Sequence, residues 1–232
     1  MKRTLALLFA AAALPLGIAA VPAAQAEAAK DWTKTVARTP EGGFRVGNPD
    51  APVKLVEYGS LTCDHCAHFA EEATPKLLGQ YVRSGRVSFE FRNFIRDPAD
   101  LTASLLSRCA GPDDFFALTD RYFDSQAQWY GKLQSMSEAD AKAINALAPA
   151  ERLARFAAIA GLDATAAKAG VPAAQAKQCL TNEASIEQLV QMGRTAVEKH
   201  QIKGTPSFMI NGKTLENVHN WAALEPLLAA GG

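Results

Sequence analysis

The chain has 232 residues, of which 48% are hydrophobic, enough to bury a sizeable core in one domain with an insertion or in two small domains. Its 24 basic and 24 acidic side chains give a formal net charge of zero, which does not favour binding to nucleic acid or to an anionic membrane surface. Four cysteines are too few for a disulfide-scaffold protein of this length.

Residues 1–26 have the layout of a secretory signal peptide. Lys2 and Arg3 precede an apolar run, and Ala24 and Ala26 supply small residues at the two positions that a signal peptidase reads for cleavage after Ala26. The alternative is a membrane anchor, but the run is short for a bilayer span of about 20 residues and Pro15 interrupts it. We expect a cleaved, soluble protein in the periplasm.

The first half of the chain reads as strand, helix, strand. Residues 27–42 are expected to be a flexible lead-in. The β-rich run at 53–58 predicts a buried strand, and apolar residues at roughly helical spacing predict a helix over 63–84, with a kink at Pro75. Alternation of apolar and polar residues over 87–94 predicts a second strand. A C-x-x-C motif therefore lies where the first strand meets the helix.

The second half is mainly helical. Residues 97–199 are rich in helix-forming side chains and poor in β-branched ones, which predicts a helical block. After it, a strand at 207–210, a two-residue Asn-Gly turn and a short return strand predict a hairpin, and 220–230 predicts a last helix. Helical windows within the block cover 113–125, 138–147, 150–160, 172–181 and 183–200.

The motif C-D-H-C, from Cys63 to Cys66, predicts a redox-active pair. At a helix start, the first backbone N–H groups and the helix dipole face the sulfur of Cys63 and favour its thiolate. His65 adds a donor and, when protonated, a positive charge, whereas the carboxylate of Asp64 opposes the thiolate. We expect Cys63 to form the mixed disulfide with substrate and Cys66 to resolve it.

Other interpretations of the motif are weaker. A zinc site would need four ligands, and neither a second C-x-x-C nor a neighbouring cysteine supplies them. A c-type haem would need His directly after Cys66, but residue 67 is Ala. A structural disulfide between Cys63 and Cys66 stays open, because short-range bridges occur in secreted proteins.

Taken together, these segments resemble the DsbA-like branch of the thioredoxin superfamily. The likeness rests on the C-x-x-C at a helix start, the helical block, and the stretch G-T-P-S-F-x-x-N-G at 204–212. It implies an α/β thioredoxin fold, with a central mixed sheet flanked by helices and an inserted all-helical subdomain. The thioredoxin-fold domain would comprise 43–97 and 200–232, and the helical insertion 98–199.

The resemblance also implies roles for individual residues. Cys63 and Cys66 match the redox pair, and Pro206 matches the family's cis-proline beside the disulfide. Thr205 would present its backbone to an extended substrate. Glu57 would be the buried acid that exchanges a proton with Cys66; the alternative is an exposed acid on a strand edge.

Three functions follow from the resemblance and the motif. The first is an oxidase that introduces disulfides into exported proteins with free thiols and is re-oxidised by a membrane quinone-linked, DsbB-like partner. The second is an isomerase or reductase kept reduced by a membrane donor. Asp64 and Thr205 differ from the proline and valine of the best-known oxidases, which points to a milder oxidant. The third is a periplasmic chaperone whose C-D-H-C is only structural.

We expect a monomer, since the lead-in is too short for the dimerisation domain of the family's isomerases. We also expect neither a cofactor nor a metal, and no binding of nucleic acid. Cys109 and Cys179 both fall in the helical block, as two ordinary buried thiols or as a structural disulfide. An oxidising compartment favours the bridge, which would contribute roughly 4 kcal/mol in the chain-entropy model.

Overall fold

The computed structural model describes residues 30–231, so the predicted signal peptide at 1–26 lies outside the described residues. A six-stranded mixed sheet has the order β1-β2-β4-β3-β5-β6, in which β3 and β4 are parallel and the other neighbours antiparallel. The strands are β1 Val36–Arg38, β2 Phe44–Val46, β3 Val53–Gly59, β4 Val87–Asn93, β5 Ser207–Ile210 and β6 Lys213–Thr214.

The expectation of a flexible lead-in over 27–42 does not hold for its described part. A 3-10 turn at Trp32–Lys34 leads into β1, which pairs with β2 in antiparallel register. Val36 lies opposite Val46, and Arg38 lies opposite Phe44. A three-residue edge strand held mainly by backbone hydrogen bonds leaves almost no alternation in the sequence, which is why the pattern did not reveal it.

Helices flank the sheet, and eight of them lie between β4 and β5. They are α1 Asp64–Lys76, α2 Pro98–Cys109, α3 Gly111–Asp124, α4 Gln126–Gln134, α5 Glu138–Asn145, α6 Pro149–Ala160, α7 Leu162–Lys168, α8 Ala173–Leu180, α9 Glu183–His200 and α10 Trp221–Ala229. The predicted fold, a mixed sheet flanked by helices with a helical insertion, is confirmed. Among residues 30–231, no helix has both the length and the apolar character that a bilayer crossing requires.

The helix that follows C-D-H-C changes its winding where the sequence predicts a kink. Pro75 lies inside α1, and a π-helical segment at Leu77–Val82 continues the helix. Proline lacks the N–H that a regular helix would use, so the helix rewinds next to it.

One apolar core joins the sheet to the inserted helices. The ring of Phe44 on β2 stacks on Phe115 of α3, with centroids 3.9 Å apart, and Phe91 of β4 packs against the same ring at 6.1 Å. The packing fixes α3 against the sheet face that also carries α1, so side chains from both helices meet beside Glu57.

Candidate active site

Cys63 is the N-cap of α1, separated from the end of β3 by a three-residue turn. The side chains of Cys63 and Cys66 are thiols and are buried, with exposed fractions of 3% and 0%. β3 lies at the centre of the sheet, so the turn brings the cysteine pair to the end of the strand with α1 running away behind it. Cys63 therefore lies where the first N–H groups of α1 point at its sulfur.

The segment before β5 faces the cysteine pair from the neighbouring strand. Tyr58 of β3 pairs with Ser207 of β5, which places Thr205 and Pro206 directly beside the turn that carries Cys63. The Thr205–Pro206 peptide is cis, and the Cys63 thiol donates to the Thr205 carbonyl at 3.3 Å. The surface around Cys63 thus consists of the helix start and this loop.

The surroundings of Cys63 lower its pKa from the ordinary 9.0 to about 5. The largest cause is a hydrogen bond from the Cys66 thiol, and it outweighs the opposing effect of burial. The Thr205 side chain, the backbone N–H of Cys66 and the positive charge of Arg96 add to the lowering. A pKa of about 5 favours the thiolate over the thiol at neutral pH, and the thiolate is the form that acts as nucleophile and leaving group. The hydrogen bond to the Thr205 carbonyl belongs to the protonated thiol.

The second sulfur and the nearby acid have the opposite character. Burial raises the pKa of Cys66 well above its ordinary value, and the hydrogen bond to Cys63 and the charge of Glu57 raise it further. Glu57 is 3% exposed on the central strand β3, which rules out the exposed strand-edge alternative. Burial, with the charges of Cys63 and Asp120, raises the pKa of Glu57 well above that of a free carboxyl.

Two acids at the start of α2 hold the turn before Cys63. Asp100 is fully buried and accepts hydrogen bonds from the Ser60 hydroxyl at 2.7 Å and from the Leu61 N–H at 2.9 Å. Asp97 caps α2 and accepts a hydrogen bond from the Thr62 hydroxyl at 2.7 Å. The Asp-Pro pair at 97–98 is a recognisable helix start, but its contact with the turn could not be read from sequence.

The helical insertion also contacts this turn through Gln126. The buried carboxamide nitrogen of Gln126, at the start of α4, donates to the carbonyls of Leu61 and Cys63, each at 2.9 Å. No local pattern in the sequence marks Gln126, because α4 has a weak apolar face and the partner carbonyls lie more than 60 residues away along the chain.

His65 does not occupy the place that the sequence suggested. Its side chain is exposed, its backbone N–H donates to Asp64, and the causes that lower the pKa of Cys63 do not include it. The positive charge that acts on Cys63 is that of Arg96, just before α2. A residue inside the C-x-x-C can turn its side chain away from the sulfur, whereas the fold brings the charge of Arg96 near enough to act on it.

Cys109 and Cys179 form a disulfide between α2 and α8, with an S–S distance of 2.03 Å and a Cα–Cα distance of 6.0 Å. The bridge joins residues 70 positions apart, both in the helical insertion. Within residues 30–231, no group of three or more His, Cys, Asp or Glu side chains is arranged to hold a metal ion.

Comparison with known proteins places this geometry in a family. A family model described as Thioredoxin matches residues 39–230. A solved structure of a protein-disulfide isomerase from Novosphingobium aromaticivorans is 37% identical, with a TM-score of 0.76, over 80% of this chain and 95% of that one. The solved structure of Wolbachia pipientis alpha-DsbA1 shares the fold, with a TM-score of 0.62. It is 24% identical and covers 83% of this chain and 91% of that one.

A Rickettsia bellii protein with the provisional name protein-disulfide oxidoreductase is 29% identical over 185 residues, which are 79% of this chain and 62% of the relative. The chain thus spans about three fifths of the length of this curated relative. The chain belongs to the thioredoxin family, and it shares its fold with a DsbA protein. The relatives named by these comparisons are a protein-disulfide oxidoreductase and a protein-disulfide isomerase, both of which act on disulfide bonds.

Proposed function

We propose that the protein is a periplasmic thiol–disulfide oxidoreductase that introduces disulfide bonds into exported proteins through Cys63 and Cys66. The observation that carries the proposal is the asymmetry of the pair, with the pKa of Cys63 lowered to about 5 and that of Cys66 raised. A stabilised thiolate favours the reduced pair, and this makes the disulfide form an oxidant.

The reaction begins with a substrate thiolate, which attacks the sulfur of Cys63 in the Cys63–Cys66 disulfide. The substrate–Cys63 bond forms as the Cys63–Cys66 bond breaks, and the electron pair remains on Cys66. Cys66 then takes a proton, because its buried surroundings disfavour a thiolate. Glu57, a buried acid whose pKa is raised, is the group we propose as the donor of this proton.

A second substrate thiolate then attacks the substrate sulfur of the mixed disulfide. The substrate disulfide forms, the substrate–Cys63 bond breaks, and Cys63 leaves as the thiolate that its surroundings stabilise. The substrate dithiol has been oxidised and the cysteine pair reduced. Thr205 and Pro206 border Cys63, so we propose that this loop binds the extended chain of the substrate.

An isomerase or reductase is the second candidate. The Novosphingobium aromaticivorans structure is named as a protein-disulfide isomerase, and Thr205 is the residue type that resembles the isomerase members. An isomerase needs the reduced pair as its resting state, so a membrane donor would have to supply electrons. The oxidase would need a membrane quinone-linked thiol oxidase instead.

The location and assembly are part of the proposal. Residues 1–26 support export, and so does the Cys109–Cys179 disulfide, because such bonds persist in oxidising compartments. We propose that the protein acts as a monomer, without a metal or cofactor. Mass spectrometry of protein recovered from the periplasm should find Glu27 as the first residue; an intact 1–26 segment would contradict cleavage.

Two substrates separate the candidate functions. The oxidised protein, mixed with fully reduced ribonuclease in the absence of another oxidant, is expected to regenerate ribonuclease activity while its own pair becomes reduced. The reduced protein is expected to act more slowly on scrambled ribonuclease. Cys63→Ser should abolish both activities. Rapid reactivation of scrambled ribonuclease by the reduced protein, with little oxidation of reduced ribonuclease by the oxidised protein, would favour the isomerase.

A further inference from the structure

A small cavity lies beneath Glu57, between the sheet, α1 and α3. It has a volume of about 20 Å³, and a cavity of roughly 10–15 Å³ already admits one water molecule. Most of its wall is apolar, formed by Phe, Ala and Leu side chains. The polar side chains on its wall are Glu57, Thr74, Thr119 and Asp120.

Two oxygen atoms on this wall have no hydrogen-bond partner among the residues that the structure describes. They are Oε1 of Glu57 and Oγ1 of Thr119, both fully shielded from solvent. A buried oxygen without a partner costs about 1–3 kcal/mol, and a shared water is the usual remedy. A carboxyl, a hydroxyl and room for one water in a single cavity form the elements of a proton path.

Asp120 completes the path to solvent. It lines the same cavity from α3, its side chain is partly exposed, and its charge acts on Glu57. Burial, with the nearby charge of Asp124, raises the pKa of Asp120 to about 6, so the carboxyl can both give and take a proton near neutral pH. Glu57 itself is 3% exposed and has no such access to bulk water.

We propose that Thr119 and Asp120 relay protons between Glu57 and solvent through a water molecule in this cavity. The inference rests on the proposed function, in which Cys66 takes a proton from Glu57 whenever the disulfide is reduced. The carboxylate left on Glu57 regains its proton from the cavity water, which regains one from Asp120, and Asp120 from solvent. When the cysteine pair is oxidised, the proton moves from Glu57 to solvent along the same path. Two residues of the helical insertion thereby take part in the chemistry of the cysteine pair.

The test is the rate of exchange with glutathione in both directions. Reduction of the Cys63–Cys66 disulfide by reduced glutathione and oxidation of the dithiol by oxidised glutathione are followed by acid quench, alkylation and mass spectrometry. We expect Thr119→Val, which removes no charge, to slow both directions by the same factor, about tenfold, and to leave the equilibrium constant unchanged. Asp120→Asn should also slow both directions by about tenfold, with a smaller shift of the equilibrium constant because the charge of Asp120 acts on Glu57. A relay changes only the speed at which protons arrive, whereas a structural or electrostatic role would shift the equilibrium.

Two further variants serve as controls. Asp120→Glu keeps a carboxyl in the cavity wall and is expected to retain most of the rate. Asp114→Asn removes an exposed acid from the same helix and should behave like the wild type. If Asp120→Asn does not fold, Thr119→Val carries the test, since it removes only a hydroxyl that has no partner.

Each failure has a distinct signature. Equal rates for Asp120→Asn and Asp114→Asn, with the wild type exchanging normally, would overturn the relay and leave the proposed function intact. A shift of the equilibrium constant with a change in one direction only would also overturn it. Absence of exchange in the wild type itself would contradict the proposed function.

Discussion

At the scale of single residues, Cys63 and Cys66 lie three positions apart and in opposite surroundings. The sulfur of Cys63 accepts hydrogen bonds at a helix start and has its pKa lowered to about 5, while burial raises the pKa of Cys66. This difference orders the chemistry, because one sulfur leaves and attacks easily and the other holds its proton. The lowered pKa of Cys63 depends on three parts of the fold, which are the start of α1 with Cys66, the loop with Thr205, and Arg96 before α2.

The first prediction concerns how the stability of the reduced protein varies with pH. The pKa of Cys63 in the folded state, about 5, lies below the ordinary 9.0, so ionisation of this thiol stabilises the fold. This contribution is fully present above pH 9 and is lost as pH falls towards 5. We expect the free energy of unfolding of the reduced protein, relative to the oxidised one, to fall as pH is lowered through this window.

Urea denaturation of both redox forms at several pH values measures this difference, since the oxidised pair has no thiol to titrate. Alkylation of Cys63 in the folded reduced protein gives the pKa independently. A difference in stability that stays constant between pH 5 and pH 9 would contradict the lowered pKa.

At the scale of elements, the turn before Cys63 is held by helices of the insertion. Asp97 and Asp100 of the α2 start and Gln126 of α4 all hydrogen-bond to residues between Ser60 and Cys63. The turn has no regular structure of its own, so these contacts determine where the sulfur lies. The insertion therefore acts as a support for the active-site turn as well as a cover for the sheet.

Gln126→Ala should reveal this support. The substitution removes the donor to the Leu61 carbonyl, while the Cys63 carbonyl keeps the Ala67 N–H. We therefore expect the free energy of unfolding to fall by about 1–3 kcal/mol. The alkylation rate of Cys63 should change with it. The matched control is Gln128→Ala on the same helix, where the side chain is exposed and the change should stay within about 0.5 kcal/mol. Equal effects in a urea titration would contradict the role of Gln126.

The elements that sequence could predict are those with a clear local pattern. The runs that became β3 and β4 and the helix after Cys63 were predicted close to their positions. The edge strand β1 was missed because it is three residues long, and α4 because its apolar face is weak. Contacts such as Gln126 with Cys63, or Arg96 with the thiolate, join distant parts of the chain and leave no local signal.

At the scale of the whole molecule, one disulfide braces the insertion internally and an apolar core holds the insertion to the sheet. The Cys109–Cys179 bridge closes a loop of about 70 residues within the insertion, while the Phe44–Phe115 stack joins that insertion to β2. The bridge lies in α2 and α8, and neither of its sulfurs contributes to the low pKa of Cys63. The described residues thus contain two separate cysteine pairs, one bridged within the insertion and one with free thiols at the start of α1.

Removing the bridge should affect stability and spare the chemistry. In the chain-entropy model, a loop of this length predicts that Cys109→Ala combined with Cys179→Ala lowers the free energy of unfolding by roughly 4 kcal/mol. The rate of ribonuclease oxidation at a temperature where the variant is folded should match the wild type. Thermal unfolding and the ribonuclease assay test the two halves, and a large loss of rate in the folded variant would show that the bridge takes part in exchange.

The measurement that tests the central claim most directly is the reduction potential of the Cys63–Cys66 pair. The Cys109→Ala, Cys179→Ala variant, equilibrated with glutathione buffers of known ratio, isolates this pair from the bridge. Because the Cys63 thiolate is stabilised, we predict a potential more oxidising than that of the glutathione pool. A potential well below that pool would contradict the oxidase and leave a reductase or a structural bridge.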